Sequence, residues 1–187
     1  MTNPDSLIPY GVYGELTDPT VLENLTGLNV GEHPLTEIVM SDVQLCFQTM
    51  RTIPYRTATG QSLGGSPRHI LEAGGADWDF AAPTIRRHRG EAVTGLLVFI
   101  SPEVHRLIRD GWRLAPLGWY QEIEVEAVRK DGSKLTVVTE GLRSPQHAFP
   151  ASSKLQHPAP WRPGDVARTR KDARQVRENW LAEQLAS

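Results

Sequence analysis

Carboxylate side chains are the groups in this sequence whose type and setting suit proton transfer. Asp110 precedes Gly111 at the end of a predicted helix, and Glu122, Glu124 and Glu126 alternate with apolar residues along a predicted strand. A buried carboxyl whose pKa is raised by desolvation can both accept and donate a proton near neutral pH. Each has a simpler interpretation: Asp110 could end a helix beside a solvated turn, and the three glutamates could form the exposed face of a strand. If one of the glutamates is a base, Glu124 is the reserve candidate.

The sequence shows no pattern typical of a metal centre. Its six histidines occur without the His-x-His or His-x-x-x-His spacing of metal ligands, and Cys46 is the single cysteine. One thiol cannot build a thiolate cluster or an internal disulfide. Cys46 lies in an apolar stretch and is expected to be a small core residue. We therefore expect no metal site.

Two short segments invite comparison with nucleic-acid or phosphate sites. Arg86-Arg87-His88-Arg89 is basic, but it is short and not interleaved with aromatic residues, so a charged turn is the expected structure. Gly64-Gly65-Ser66-Pro67-Arg68-His69 lacks the Gly-Lys-Ser/Thr ending of a phosphate loop. We therefore expect no nucleic-acid partner.

Length and charge limit the class of protein. The chain has 187 residues, 39% hydrophobic and 22% charged, which suits one globular domain. With 20 Lys+Arg against 22 Asp+Glu, its net charge of -2 argues against a dedicated nucleic-acid or membrane-surface protein. The charge is uneven, because residues 1–50 hold seven acidic residues and no Lys or Arg, a net -7 that leaves +5 for the remainder.

The N-terminal residues predict neither secretion nor membrane insertion. They lack a basic segment followed by an apolar one, and no run approaches the ~20 apolar residues that span a bilayer. A chain with one cysteine does not depend on an oxidising compartment. The sequence therefore predicts a cytoplasmic protein with no membrane partner, and it leaves a homodimer open.

Periodicity and turn residues predict an alternation of strands and helices. Thr17-Asp18-Pro19 is a helix start and Gly27 a helix stop, while Lys130-Asp131-Gly132-Ser133 is a hairpin turn. The predicted elements are a strand and loop at 7–16, a helix to Gly27, a strand pair at 35–40 and 43–50 joined near Ser41-Asp42, a long loop at 54–82, a buried strand at 93–100, a short helix from Ser101 to Asp110, strands at 120–128 and 135–139, and a helix at about 165–185.

Five segments in this order resemble the motifs of the gamma-glutamyl cyclotransferase-like (AIG2-like) superfamily. They are Val12-Tyr13-Gly14-Glu15-Leu16, Val43-Gln44-Leu45-Cys46-Phe47, Val93-Thr94-Gly95-Leu96-Leu97, Leu107-Ile108-Arg109-Asp110-Gly111, and Tyr120 before an alternating strand. The resemblance covers about residues 8–140. It implies an α+β fold, a small twisted mixed or antiparallel β-barrel flanked by helices. Residues 141–187 would form a C-terminal extension of the same single domain, with a helix at about 165–185.

The resemblance also implies an activity and its residues. A gamma-glutamyl amine or amide would cyclise to 5-oxoproline by intramolecular aminolysis, in an enzyme of the transferase or lyase type that needs no metal or organic cofactor. Asp110 would be the general acid and base, and Tyr120 would line the pocket of this small-molecule substrate. Tyr13, Gly14, Glu15 and Leu16 would form the binding loop, where glycine lets successive N–H groups approach an anion.

Two positions depart from the family pattern and leave alternatives open. Asp110 stands where the family has Glu, which shortens the side chain by one methylene, and displacement on that scale can cost roughly a hundredfold in rate. Glu15 stands where Thr or Ser is usual, so a carboxylate facing the pocket would favour a cationic or amine-bearing ligand. The alternatives are a non-catalytic small-molecule-binding or interaction module, and altered cyclisation or amide-cleavage chemistry in a biosynthetic pathway.

Overall fold

The computed structural model describes residues 7–33, 35–49, 81–112, 120–143, 149–150 and 163–186. Its strands are β1 (Ile8–Val12), β2 (Thr36–Thr49), β3 (Ala81–Ile100), β4 (Tyr120–Arg129), β5 (Lys134–Leu142) and β6 (Phe149–Pro150). Its helices are a 3₁₀ turn (Gly14–Thr17), α1 (Pro19–Thr26), α2 (Pro102–Arg106) with a π-helical continuation (Leu107–Trp112), and α3 (Pro163–Ala186). Nearly all of the predicted 54–82 loop, including Gly64–His69, lies outside the described residues.

The strands form one mixed sheet that closes on itself. Their order is β3-β1-β5-β4-β2-β6, and β2 also pairs with β3, so five strands form a ring. β1 and β5 run parallel, whereas the other pairs are antiparallel. This mixed α+β architecture agrees with the predicted fold class.

Two apolar clusters account for the core. One is built mainly from the faces of β2 to β5 that contain Met40, Val125 and Val137. The other joins Tyr10 and Ile100 on the opposite face of β1 and β3 to the three α-helices and the π-helical turn. The strand alternation that a period of two predicts therefore separates a ring core from a core between ring and helices.

The predicted strand pair at 35–40 and 43–50 is wrong, because the structure has the single strand β2 there. Pairing with β3 continues on both sides of a register shift between Ser41 and Val43, and Asp42 adopts a positive φ of 56°. The Asp42 carboxylate accepts a hydrogen bond from the Gly90 N–H at 2.9 Å. The residues that suggested a turn form a β-bulge, which bends a strand without ending it.

The charged turn predicted at Arg86–Arg89 is also wrong. All four residues lie within β3, and Arg86 and Arg87 pair with Gln44 and Val43, whereas the ladder with β2 resumes only at Ala92 opposite Ser41. The Arg86 guanidinium donates to Gln44 Oε1 at 2.7 Å. Half-exposed strands accept long charged side chains on their outer face, so charge alone did not mark a turn.

Local capping fixes the helices around the first loop. Asp18 Oδ1 accepts from the Val21 N–H at 3.0 Å, and Gly27 ends α1 with φ 74°. The Arg170 guanidinium of α3 donates to Asp18 Oδ2 at 2.7 Å. Hydrogen bonds from Arg170 are the largest cause holding the pKa of Asp18 below its usual value. Asp18 therefore starts α1 and attaches α3 to it.

Within the described ranges, no helix is both long enough and apolar enough to cross a bilayer.

Candidate functional site

The loop after β1 is a 3₁₀ turn that begins at a glycine. Gly14 has φ 61°, a conformation that residues with a Cβ rarely adopt, and the Thr17 hydroxyl donates to the Gly14 carbonyl at 2.6 Å. Tyr13, immediately before the turn, is buried, and its phenol donates to the backbone carbonyl of Glu140 at 2.7 Å. The loop is therefore fixed to β5 through Tyr13.

Glu15 points toward the π-helical turn. Its carboxylate is buried, and Oε1 accepts a hydrogen bond from the Trp112 indole at 2.9 Å. Leu16 is fully buried in the core between ring and helices. The binding-loop residues inferred from the sequence thus lie next to the segment that carries Asp110.

Asp110 lies in the π-helical turn that follows α2. π-helical turns are rare in proteins as a whole, and those that do occur are often found at functional sites. Both carboxylate oxygens accept from Arg109, Oδ1 from Nε at 2.6 Å and Oδ2 from Nη2 at 2.9 Å. The side chain of Asp110 is 22% exposed to solvent. Asp110 is therefore an accessible carboxylate oriented by a guanidinium.

Gly111 has a packing role beside Asp110. A Cβ at this position would lie 3.3 Å from Leu107 Cδ1 and from Val176 Cγ1, and 3.6 Å from Trp180. The missing side chain lets α3 approach the π-helical turn.

Tyr120, the last of the residues inferred from the sequence, is the first residue of β4. It is buried and pairs with Leu142 of β5. Its position beside β5 is compatible with lining a site, and equally with the amphipathic core role open to any tyrosine.

A second group of titratable side chains was missed by sequence reasoning. Glu140 on β5 is 0% exposed, and its Oε2 accepts a hydrogen bond from the Tyr10 phenol. Its Oε1 lies 3.2 Å from Nε2 of His105, on α2. The same nitrogen lies 3.4 Å from Oε2 of Glu122, whose side chain is 46% exposed.

Burial dominates the protonation of this group. Desolvation raises the pKa of the Glu140 carboxyl to about 8. It also lowers the pKa of His105, an effect that neighbouring Glu122 and Asp110 oppose and Arg109 reinforces. At neutral pH the favoured state is therefore a neutral carboxylic acid beside a neutral imidazole.

One sequence signal could have found this group. Glu140 lies in the run Leu135 to Leu142 of β-branched and apolar residues, and it is directly opposite Glu122 in the β4–β5 register. Two carboxylates facing each other across an antiparallel pair repel unless one is protonated. The predicted strand at 135–139 stopped one residue short of this pair.

Among the described residues, no group of three or more His, Cys, Asp or Glu side chains could hold a metal ion.

Comparison with known proteins identifies the fold. No protein-family model and no curated protein matches the chain. An uncharacterized human protein of known structure has a TM-score of 0.53 and 15% identity, over 79% of this chain and 73% of that one. A gamma-glutamyl cyclotransferase has a TM-score of 0.49 and 17% identity, over 78% of this chain and 72% of that one. An Arabidopsis thaliana protein has a TM-score of 0.47 and 17% identity, over 95% of this chain and 91% of that one. At such low identity a likeness concerns the fold alone, and this chain has the fold of the uncharacterized human protein.

Proposed function

We propose that the protein is a gamma-glutamyl cyclotransferase-like enzyme, which releases 5-oxoproline from a gamma-glutamyl amine or amide. The hydrogen bond from Trp112 to Glu15 carries this proposal. It joins the loop that would bind the substrate to the π-helical turn that holds Asp110, so the two halves of the inferred site are neighbours. A chain with one cysteine does not depend on an oxidising compartment, and we propose that the activity is cytoplasmic.

The reaction would need little beyond positioning and proton transfer. The α-amine of the glutamyl group attacks its own γ-carbonyl, a C–N bond closes the five-membered ring, and the original amide C–N bond breaks to release an amine. Asp110 takes the proton from the ammonium and returns one to the departing amine. Backbone N–H groups after Gly14 hold the substrate's α-carboxylate, and Tyr120 contributes to the wall of the pocket.

Arg109 would have a positioning role in this scheme. It holds both oxygens of Asp110, so the shorter carboxylate is fixed in one orientation. Hydrogen bonding to Asp110 is the first cause that raises the pKa of Arg109, so this cation persists at any physiological pH. A fixed carboxylate offsets part of what the missing methylene costs in reach.

The test is a search for 5-oxoproline by mass spectrometry after incubation with a panel of gamma-glutamyl amines and peptides. Because Asn keeps the shape but cannot accept a proton, Asp110→Asn should reduce turnover at least a hundredfold. Asp110→Glu restores the carboxylate at the length usual in the family and should retain activity. Glu91→Gln, at an exposed position on β3, is the matched control. An inactive wild-type protein on the whole panel, or undiminished turnover in Asp110→Asn, contradicts the proposal.

The two-point contact between Arg109 and Asp110 favours one further candidate, a non-catalytic ligand-binding module. A carboxylate whose two oxygens both accept from a guanidinium has less lone-pair capacity left to take a proton from a substrate. Such a module would gain thermal stability from a metabolite without converting it. Thermal-shift screening on the same panel, beside the turnover assay, separates the two functions.

A further inference from the structure

The buried carboxyl of Glu140 lies outside the reaction scheme above. It is on the face of β5 that α2 covers, between Tyr10 of β1 and His105 of α2. The Tyr10 phenol already donates to Oε2, so the acid proton of Glu140 belongs on Oε1. Oε1 faces His105 Nε2 at 3.2 Å, and a neutral imidazole can accept there only if its own proton is on Nδ1.

His105 connects this interior carboxyl to the surface. Its Nε2 lies 3.2 Å from Glu140 Oε1 and 3.4 Å from Glu122 Oε2. Glu140 is inaccessible to solvent, whereas Glu122 is half exposed. One ring nitrogen therefore lies within proton-transfer distance of a buried and a solvated carboxyl group.

The charged groups around His105 place this connection beside the inferred catalytic carboxylate. Glu122 faces it from β4, and Arg109 and Asp110 of the π-helical turn both act on its charge. The Arg109 guanidinium donates to both carboxylate oxygens of Asp110. A change in the charge of Glu140 requires exchange of a proton, and His105 is the titratable side chain next to its Oε1.

We propose that Glu140, His105 and Glu122 form a proton relay, in which Glu140 stores one proton close to the Asp110 site. In the forward step the O–H bond of Glu140 Oε1 breaks as an N–H bond forms at His105 Nε2. That N–H bond then breaks as an O–H bond forms at Glu122 Oε2. The reverse sequence reloads Glu140, and no electron or other group is transferred.

The role of the relay rests on the proposed function: Asp110 ends each turnover as the carboxylate with which it began, and the relay sets the charge of the His105 imidazole, on which Asp110 acts. Glu140 is in this view a positioning residue that acts through His105. Tyr10 fixes which oxygen carries the proton, and Tyr13 ties the binding loop to the backbone of Glu140. The loop, the relay and the π-helical turn are thereby one connected structure.

The existence of the relay is tested without any substrate. In protein with ¹⁵N-labelled histidine, the His105 resonances are assigned by their loss in His105→Gln. We expect the Nδ1–H tautomer at pH 7 and a step in the His105 shifts near pH 8, as Glu140 ionises. Glu140→Gln should abolish that step, Glu122→Gln should move the lower His105 titration to more acidic pH, and Glu91→Gln should change neither.

An Nε2–H tautomer at pH 7, or a step near pH 8 that persists in Glu140→Gln, overturns the relay. Activity provides a separate readout: Glu140→Gln should remove the alkaline limb of the kcat profile near pH 8, whereas Asp110→Asn removes turnover at every pH. If no gamma-glutamyl compound is converted, the proposed function fails, and the resonance titration still decides whether the relay exists.

Discussion

Replacing Glu140 with glutamine should stabilise the protein, and the gain should grow with pH. The folded state keeps this carboxyl protonated up to about pH 8, whereas its usual pKa is 4.5. Between these values unfolding releases a proton, so rising pH favours the unfolded state of the wild type. Glutamine reproduces the protonated pattern, since its oxygen can accept from Tyr10 and its amide can donate to His105, and it never ionises.

The magnitude follows from the separation of the two pKa values. One pH unit corresponds to a tenfold change in the folding equilibrium, so holding Glu140 protonated at pH 7 costs about 3 kcal/mol relative to a residue that does not titrate. The stabilising contribution of the raised pKa is fully present below pH 4.5 and is lost as pH rises to about 8. The second amide hydrogen of glutamine costs about 1 kcal/mol at every pH, so the slope is the decisive quantity.

The assay is urea denaturation of wild type and Glu140→Gln at pH values from 4 to 9, with Glu91→Gln as the control. We expect the ratio of the two unfolding equilibrium constants, wild type over variant, to rise about tenfold per pH unit from pH 4.5 to 8. Above pH 8 this ratio should level off. His105 is present in both proteins, so its own titration largely cancels. A difference that does not change with pH would refute the assignment of a neutral, buried Glu140.

Two further predictions concern the scaffold, and both are measured by urea denaturation. Gly95→Ala would place a Cβ 2.3 Å from the Val12 carbonyl oxygen and should lower the free energy of unfolding by about 3 kcal/mol. Gly90→Ala is at φ 84° with no atom within 4 Å of the new Cβ, and it should lower the free energy of unfolding by only about 1 kcal/mol. Equal losses in the two variants would contradict the packing argument. Asp18→Ala should cost about 1 kcal/mol because α1 loses its cap, and Asp18→Asn should cost less because it keeps the cap and loses only the charge that pairs with Arg170. Equal losses in Ala and Asn would mean that the pair, and not the cap, is what matters.

Local sequence signals predicted the elements whose cause is local. The Asp131-Gly132 turn joins β4 to β5, with Gly132 at φ 84°, and the Asp131 carboxylate accepts from the Ser133 N–H at 2.9 Å. Asp18 and Gly27 delimit α1 as their residue types predict. Such signals depend on a few neighbouring residues, so a sequence is sufficient to interpret them.

The errors arose where a distant partner decided the outcome. Ser41 and Asp42 have turn-forming residue types, yet β3 continues to pair across them and converts the turn into a bulge. Arg86 and Arg87, the first two residues of the basic run, pair in the same ladder. Pairing partners 40 or more residues away are invisible to local pattern, and here they override it.

The sequence by itself determined the order of motifs, the fold class and the candidate loop and carboxylate at Gly14 and Asp110. Only the tertiary structure decided that Glu15 faces Trp112, and that two glutamates facing each other on β4 and β5 have opposite environments. Glu122 remains half exposed, whereas α2 and β1 cover Glu140 completely. Residue type and alternation can place both side chains on one face of the sheet. The free energy of ionising a carboxyl, however, depends on how much water surrounds it, and the packing of distant elements determines how much water remains there.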